Sequence, residues 1–313
     1  MKNNPLISII VCTHNRAEFL VHTMETIFAQ EYRPVEILIV DDGSTDNTRE
    51  LVESYGGRVR YHRKDKSTIA DTRTVACRLA KGDYIAFQDD DDLMPQDRIT
   101  RLYDALCKFP QALLAVGEWA VIDMSGKLTG ERSLACIQTQ NGEPALVKDG
   151  YSAVLWPKVT PGPPTTLFRK SDGERIGWFD TRFFHGCSDT DFFARLGKLG
   201  PLVYVPGIAC YYRKGHNQIW GNTLFGEYSR VLLFEKHLRS LEAGREDLRK
   251  RLQLRLLNVL ELIAFLRRHG EAMPPPVPSD YLDRVLSLLN GKDRLRYWFY
   301  SSVRLPARKA IKG

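Results

Sequence analysis

Four consecutive carboxylates, Asp89-Asp90-Asp91-Asp92, follow the apolar stretch Asp83-Tyr-Ile-Ala-Phe87 and Gln88. Like charges this close repel one another strongly unless a cation compensates them. Magnesium and manganese take oxygen ligands and commonly sit on one or two carboxylates plus the oxygens of a bound diphosphate. A solvated acidic loop is the competing reading of the same run. A second apolar stretch, Val35-Glu-Ile-Leu-Ile-Val40, ends alike, in Asp41-Asp42-Gly43-Ser44-Thr45-Asp46. A third, Leu6-Ile-Ser-Ile-Ile-Val11, ends in Cys12-Thr13-His14-Asn15-Arg16. If these are strands of one parallel sheet, their carboxyl ends gather hydroxyl, amide, cationic and acidic groups in one crevice, where open α/β sheets bind ligands.

The elements needed to position these groups are legible as an alternation of strands and helices. The pattern predicts a helix over Ala17 to Gln30, with Phe19, Leu20, Thr23, Ile27 and Phe28 on one side, and another over Thr45 to Tyr55. Ser44 and Asp46 suit the start of the second, so capping competes with any ligand role for Asp46. Further strands are expected over Arg58 to His62, Leu113 to Gly117 and Thr165 to Arg169, with a helix from Ile69 to Lys81 ended by Gly82. Trp156-Pro-Lys-Val-Thr-Pro-Gly-Pro-Pro164 is too rich in proline for a ladder or a helix interior.

Taken together, Ile9 to Arg16, Glu36 to Asp46 and Ala80 to Asp92 with Pro95 resemble family 2 glycosyltransferases of the GT-A fold. The likeness is close over residues 5 to 120 and looser to residue 220. It implies an α/β, Rossmann-like mixed sheet flanked by helices. The catalytic domain would span residues 1–223, with a nucleotide-binding half (1–120) and an acceptor half (121–223), and a helical extension would follow over 224–313. The implied reaction is inverting transfer of one sugar from a nucleotide diphosphate sugar to an acceptor hydroxyl, with Mn2+ or Mg2+ on the departing diphosphate. A UDP-sugar is the expected donor because UDP is the commonest carrier in the family.

Carried over position by position, the resemblance makes Asp91 a metal ligand and puts Asp89 on the ribose or the metal shell. Asp90 has a weaker claim beside the nucleotide, and Asp92 competes with a capping role. Thr13 and Asp42 would contact the base or ribose, with Asn15, Arg16 and His14 nearby. Arg73 matches an arginine that closes over the nucleotide, although Thr72-Arg73-Thr74 and Ala76 replace the usual Ala-Arg-Asn and following Gly. In Gly186-Cys-Ser-Asp-Thr-Asp191, Asp189 matches the catalytic base and Asp191 the later acid, while Ser188 replaces a glutamate. Helix capping is the competing role for Asp189. His216, in Tyr211-Tyr-Arg-Lys-Gly-His216, falls where many members place a third metal ligand, and Arg213 and Lys214 could neutralise phosphate. Gln218-Ile219-Trp220 lacks the spacing and arginine of the processive motif, so addition of one sugar is expected, not a polymer.

Composition sets no obstacle. The 313 residues are 43% hydrophobic, enough for one large core plus an appendage. No apolar run approaches the roughly 18 residues of a membrane span, and no secretory pattern opens the chain, so a cytoplasmic protein is expected. Six scattered cysteines without CxxC spacing argue against structural zinc and a disulfide framework. The net charge is +7, and residues 292–313 alone hold seven basic residues against one acid, a net of +6. Interleaved with Leu295, Tyr297, Trp298, Phe299 and Tyr300, these cations suit an anionic membrane surface and a lipid-linked acceptor of envelope glycan assembly. Packing of the aromatics on the protein is the even alternative, and the C-terminal helices could instead form a homodimer. Leu248, Leu252, Leu256, Leu260 and Ile263 recur at helical spacing, Pro274-Pro-Pro276 interrupts, and a short helix is expected from Asp280 to Asn290, ended by Gly291.

Other classes fit less well. A basic tail without a nucleic-acid-binding signature, beside four acids, does not favour a nucleic-acid partner. A phosphate-loop NTPase is excluded by the missing GxxxxGK[ST], and a nucleotidyltransferase should show a glycine-rich loop where Cys12 to Arg16 has none. A non-catalytic scaffold derived from a transferase is the remaining alternative, motivated by Ser188 and Ala76.

Overall fold

The computed structural model describes residues 4–133, 136–156, 158–184, 186–215, 224–268 and 281–302. His216 and Pro274 to Pro276 lie outside them. Two compact units are present, one of residues 1–184 and 188–218, the other of 185–187 and 219–313.

The larger unit is built on a nine-stranded mixed sheet. Its strands are β1 (Ile7–Thr13), β2 (Val35–Asp41), β3 (Arg60–Arg63), β4 (Tyr84–Asp89), β5 (Leu114–Ile122), β6 (Leu128–Arg132), β7 (Ala145–Val147), β8 (Thr166–Arg169) and β9 (Leu202–Arg213). They lie in the order β3-β2-β1-β4-β8-β5-β9-β7, with β6 pairing with β5. β1 runs parallel to β2 and β4 in a register that sets Thr13 beside Asp41 and Cys12 beside Asp89. The three polar strand ends therefore meet at one level of one sheet edge. β8 is antiparallel to both β4 and β5, a reversal that apolar patterning does not disclose.

Helices α1 (Ala17–Phe28), α2 (Thr48–Ser54), α3 (Ile69–Leu79), α4 (Arg98–Lys108), α5 (Gly150–Leu155), α6 (Lys170–Arg175) and α7 (Ser188–Leu199) complete this unit. Alternate residues of β1, Ile7, Ile9 and Val11, pack with Leu20, Met24 and Ile27 of α1 and Ile99, Leu102 and Leu106 of α4. A second, aromatic layer joins Phe87, Phe168, Phe179 and Phe192 through ring contacts of 4.3–6.3 Å.

Several boundaries differ from expectation. α2 begins at Thr48, and Asp46 precedes it, accepting from Thr48 N of its first turn at 3.1 Å and from Ala17 N of α1 at 3.2 Å. α3 ends at Leu79, and Gly82 serves instead where the chain passes β1: a Cβ there would lie 2.6 Å from Ser8 N. β3 starts at Arg60 after a 3-10 turn, and β5 continues to Ile122.

In the smaller unit, α8 (Leu224–Arg239) packs on α9 (Glu246–Arg268), and α10 (Tyr281–Leu286) and α11 (Gly291–Ser302) follow. Leu248, Leu252, Leu256, Leu260 and Ile263 form the buried stripe of α9. Gly291 opens α11 instead of closing the preceding helix. Asn290 supplies the reason, since its Oδ1 accepts from Asp293 N at 2.9 Å as a helix start requires. In α11, Tyr297 is buried and Leu295 is 72% exposed.

The helix that carries Asp189 is fixed by backbone contact. A Cβ at Gly197 of α7 would lie 2.6 Å from Gly150 C and 2.8 Å from Tyr151 N, atoms of α5 that have no rotamer to escape into. Gly197→Ala should therefore destabilise the protein by about 1–3 kcal/mol through overpacking. Differential scanning calorimetry checks this, and an unchanged Tm would show that the α5–α7 contact is not tight.

Candidate functional site

The loop after β1 is held by side-chain to backbone bonds. Asn15 takes φ of 53°, its N–H donates to Ser44 Oγ at 2.9 Å, and its Oδ1 accepts from Thr45 N at 2.7 Å and Asp46 N at 3.3 Å. Asparagine tolerates this left-handed conformation better than most residues. Asn15 thus ties the β1 loop to the β2 loop, and Gly43, at φ of 77°, provides the turn that closes it. Asp41 is consumed structurally, accepting from Ser44 N at 2.8 Å and from the Tyr61 hydroxyl at 2.6 Å.

Asp42 is the second anchor. Its Oδ1 accepts from Lys64 Nζ at 2.8 Å and Ser67 N at 3.0 Å, while Lys66 Nζ lies 3.1 Å from Oδ2. Burial alone would raise this carboxyl, but the bonds from Lys64 and Lys66 outweigh it and hold its pKa below the usual range. Asp42 N also donates to Thr13 O at 2.9 Å, placing Thr13 and Asp42 side by side.

The acidic run divides by function. Asp92 is fully buried and accepts from Arg213 N at 2.9 Å and from Cys210 Sγ at 3.4 Å, so it fastens the run to β9. Thr23 of α1 donates its hydroxyl to Asp90 O at 3.0 Å and Asp92 O at 2.8 Å, shaping the turn. Asp89, Asp90 and Asp91 remain half-buried at the crevice. Arg73 Nη2 lies 3.3 Å from Asp89 Oδ1, and Arg16 Nη1 lies 3.7 Å from Asp91 Oδ2.

These carboxylates strain one another electrostatically. Burial, then Asp91, pushes Asp90 up to about 7, against the pull of the Thr13 hydroxyl and of Arg16. Asp89 is raised by burial, with Arg73 opposing and Asp91 and Asp189 adding to the shift. Asp189, in the first turn of α7, thus stands in the same field as the strand end, and its Oδ1 accepts from Thr190 N at 2.7 Å. Asp191 has a different part: its Oδ2 accepts from Arg195 Nε at 2.8 Å, and it is buried behind α7.

Sequence reasoning missed the cation beneath the acids. Arg98 is completely buried, donating to Phe87 O at 2.6 Å and Gln88 Oε1 at 2.8 Å. Burial lowers its pKa to about 10, with Cys210 and Asp89 opposing. Its only sequence signal is an arginine on the apolar side of a helix three residues after Pro95. Arg213 is corrected in its role. Its guanidinium donates to Asp91 O at 3.1 Å and Met124 O at 3.1 Å, which commits it to backbone carbonyls instead of phosphate. Lys214 likewise pairs with Glu131 at 2.6 Å.

Three adjacent half-buried carboxylates, Asp89, Asp90 and Asp91, are a donor set that fits a hard divalent cation, which would relieve the repulsion that helps raise Asp89 and Asp90. Among the described residues no three His, Cys, Asp or Glu side chains converge as a complete cage.

The parallel strands and the acids at their ends form a crevice of the kind in which open α/β sheets bind ligands. The sequence matches the family described as Glycosyl transferase family 2 over residues 8–178, and the chain belongs to that family. Chondroitin synthase of Escherichia coli is 29% identical over 234 residues, covering 70% of this chain and 30% of the synthase. The chain spans about a third of the length of the first curated relatives it matches. Among solved structures, S. aureus TarS 1-349 in complex with UDP-GlcNAc aligns with a TM-score of 0.57 and 16% identity, over 94% of this chain and 86% of TarS. Mannosyltransferase PcManGT from Pyrobaculum calidifontis, in complex with GDP-Man and Mn2+, aligns with a TM-score of 0.57 and 17% identity, over 96% of this chain and 87% of PcManGT. The fold is the GT-A fold.

The raised carboxyl has a pH signature. Asp90, shifted from 3.8 to about 7, contributes stability below pH 3.8 that is lost as the pH rises through about 7. Between pH 5 and 8 the lowered acids Glu36, Asp42 and Asp46 are largely ionised in both folded and unfolded states, whereas Asp89 and Asp92 are raised as well, so the comparison of Asp90→Asn with wild type, not the wild-type profile alone, reads the share of Asp90. Relative to wild type, Asp90→Asn should gain stability as the pH rises from 5 to 8 without added metal, by about 2–3 kcal/mol, a relative gain of several degrees in Tm. Parallel melting curves check this, and an offset independent of pH would show that the repulsion is not stored at Asp90.

Proposed function

We propose that the protein transfers one sugar, with inversion, from a nucleotide diphosphate sugar to an acceptor hydroxyl, using Mn2+ or Mg2+. The observation that carries this reading is the convergence of Thr13, Asp42 and Asp89 to Asp91 at one sheet edge, with Asp189 in their electrostatic field. Asp91 and Asp89 would hold the metal, whose charge, when bound, stabilises the leaving diphosphate. His216 is the third ligand proposed from sequence.

In this reading the Asp189 carboxylate accepts the proton of the acceptor hydroxyl. The acceptor oxygen forms its bond to the anomeric carbon as the bond from that carbon to the diphosphate oxygen breaks. The N-terminal turn of α7 and its lack of freedom against α5 keep Asp189 on the acceptor side. Thr13, Asn15, Asp42 and Asp90 shape the nucleotide site, and Arg16 and Arg73 supply positive charge beside it. UDP is the expected carrier, supported by the UDP-GlcNAc complex of TarS, and the GDP-Man complex of PcManGT makes GDP the comparison. A lipid-linked or surface-glycan acceptor is proposed, reached from the cytoplasmic face through residues 292–313. The exposed Leu295 and the local basic charge support that surface. No described helix is long and apolar enough to cross a membrane.

A thermal-shift panel of UDP, GDP, dTDP and CMP, with and without manganese, tests the reading on wild type and Asp91→Asn. One nucleotide, UDP by expectation, should raise Tm by several degrees only when metal and Asp91 are both present, and Asp91→Asn should lower transfer at least about 100-fold. Nucleotide binding of equal strength without metal would overturn the metal assignment.

A further inference from the structure

Arg73 is the guanidinium that faces Asp89, and it does not hold that place by its ion pair alone. Its Cζ lies 6.0 Å from the centroid of Phe87 and 5.9 Å from that of Phe179. The two rings meet edge to face at 5.6 Å, so they form a corner against which the flat cation rests. Guanidinium groups favour such aromatic faces, most of all when partly removed from water, and the Arg73 side chain is only 11% exposed.

Phe87 is part of β4, but Phe179 comes from the acceptor half and is held there by an unusual loop. Trp178, just before it, takes φ of 65°, a costly conformation for a bulky residue. Three contacts enforce it. Arg195 of α7 donates to Trp178 O at 2.5 Å and Ile176 O at 2.7 Å, while Asp191 holds Arg195 at 2.8 Å. The Trp178 indole occupies the space over Gly173, where a Cβ would lie 2.2 Å from its ring. The hydroxyl of Thr74, one residue after Arg73, donates to Ala70 O at 2.9 Å within α3 and lies 3.5 Å from Phe179 O. The Phe179 ring is then stacked on Phe192 of α7 at 4.3 Å and 15°.

We propose that Phe179 is a positioning residue: it fixes the Arg73 guanidinium for the nucleotide diphosphate and ties that cation to α7, the helix of Asp189. This rests on the glycosyl-transfer reading above. The chemistry recognised is a nucleoside diphosphate, whose anionic oxygens would draw Arg73 away from Asp89 without moving it off its aromatic support. Helix, loop and arginine thus set the donor site and the base from one rigid piece.

The test is a double-mutant cycle on the full chain, with isothermal titration of the nucleotide the panel selects, UDP or GDP, in manganese. Phe179→Met keeps apolar bulk and removes the ring. It should weaken nucleotide binding about tenfold, the scale of a buried cation–π contact, and should raise the donor KM more than it lowers kcat. In an Arg73→Gln background the same change should leave binding unaltered, although its cost in Tm persists. Phe179→Leu serves if the methionine variant does not fold. Equal losses in both backgrounds, or wild-type binding by either variant, would overturn the proposal while leaving the transferase reading intact. Failure of wild type to bind any nucleotide would overturn the transferase reading and this one with it.

Discussion

Mutual repulsion among four adjacent carboxylates is the constraint around which the larger unit is arranged. The protein does not disperse that charge; it assigns each group a separate compensation. Asp92 is withdrawn into the interior and held by the β9 backbone at Arg213. Asp89 faces Arg73 and Asp91 faces Arg16, at 3.3 and 3.7 Å. Arg98 supplies an internal positive charge under the strand end. Compensation is incomplete: burial pushes Asp90 up to about 7 and raises Asp89 and Asp92 as well. The carboxylates are thus kept close in the folded state without cancelling their field, as pre-organisation for a cation requires.

The same logic explains why so many arginines are only supports. Arg98, Arg195 and Arg213 donate to backbone carbonyls, at strand, loop and turn respectively. A guanidinium has five donors in a fixed fork, so it can satisfy several carbonyls left outside regular ladders. Mixed sheets with long connections leave such carbonyls near their active edges. The arginine content that gives this chain its positive balance is therefore partly structural.

Much of the fold could be read from residues alone. Apolar strands ending in acids announced β2 and β4, a third ending in a polar cluster announced β1, and these ends gathered where parallel topology puts them. The start of α7 at the Ser188-Asp189 pair was legible as a helix start, whereas a role for Asp189 came only from the family resemblance. What escaped was long-range. The antiparallel β8, wedged between β4 and β5, follows from pairing partners rather than local pattern. Arg98 looked like any helix arginine, because its burial depends on Phe87, Gln88 and Thr166. Arg213 and Lys214 read as phosphate ligands from their neighbourhood in sequence, yet Met124 and Glu131 of the β5–β6 hairpin claim them.

The glycine contact between α5 and α7 also sets how this protein can diversify. Gly150 and Gly197 meet through main-chain atoms, so the helix bearing Asp189 is located by contacts that side-chain substitution elsewhere does not adjust. Under the proposed reaction, loops around it can change length and composition while Asp189 stays in register with the sheet. Such an arrangement would separate what chemistry is done from what molecule receives it, so that new acceptors could be explored without rebuilding the reaction.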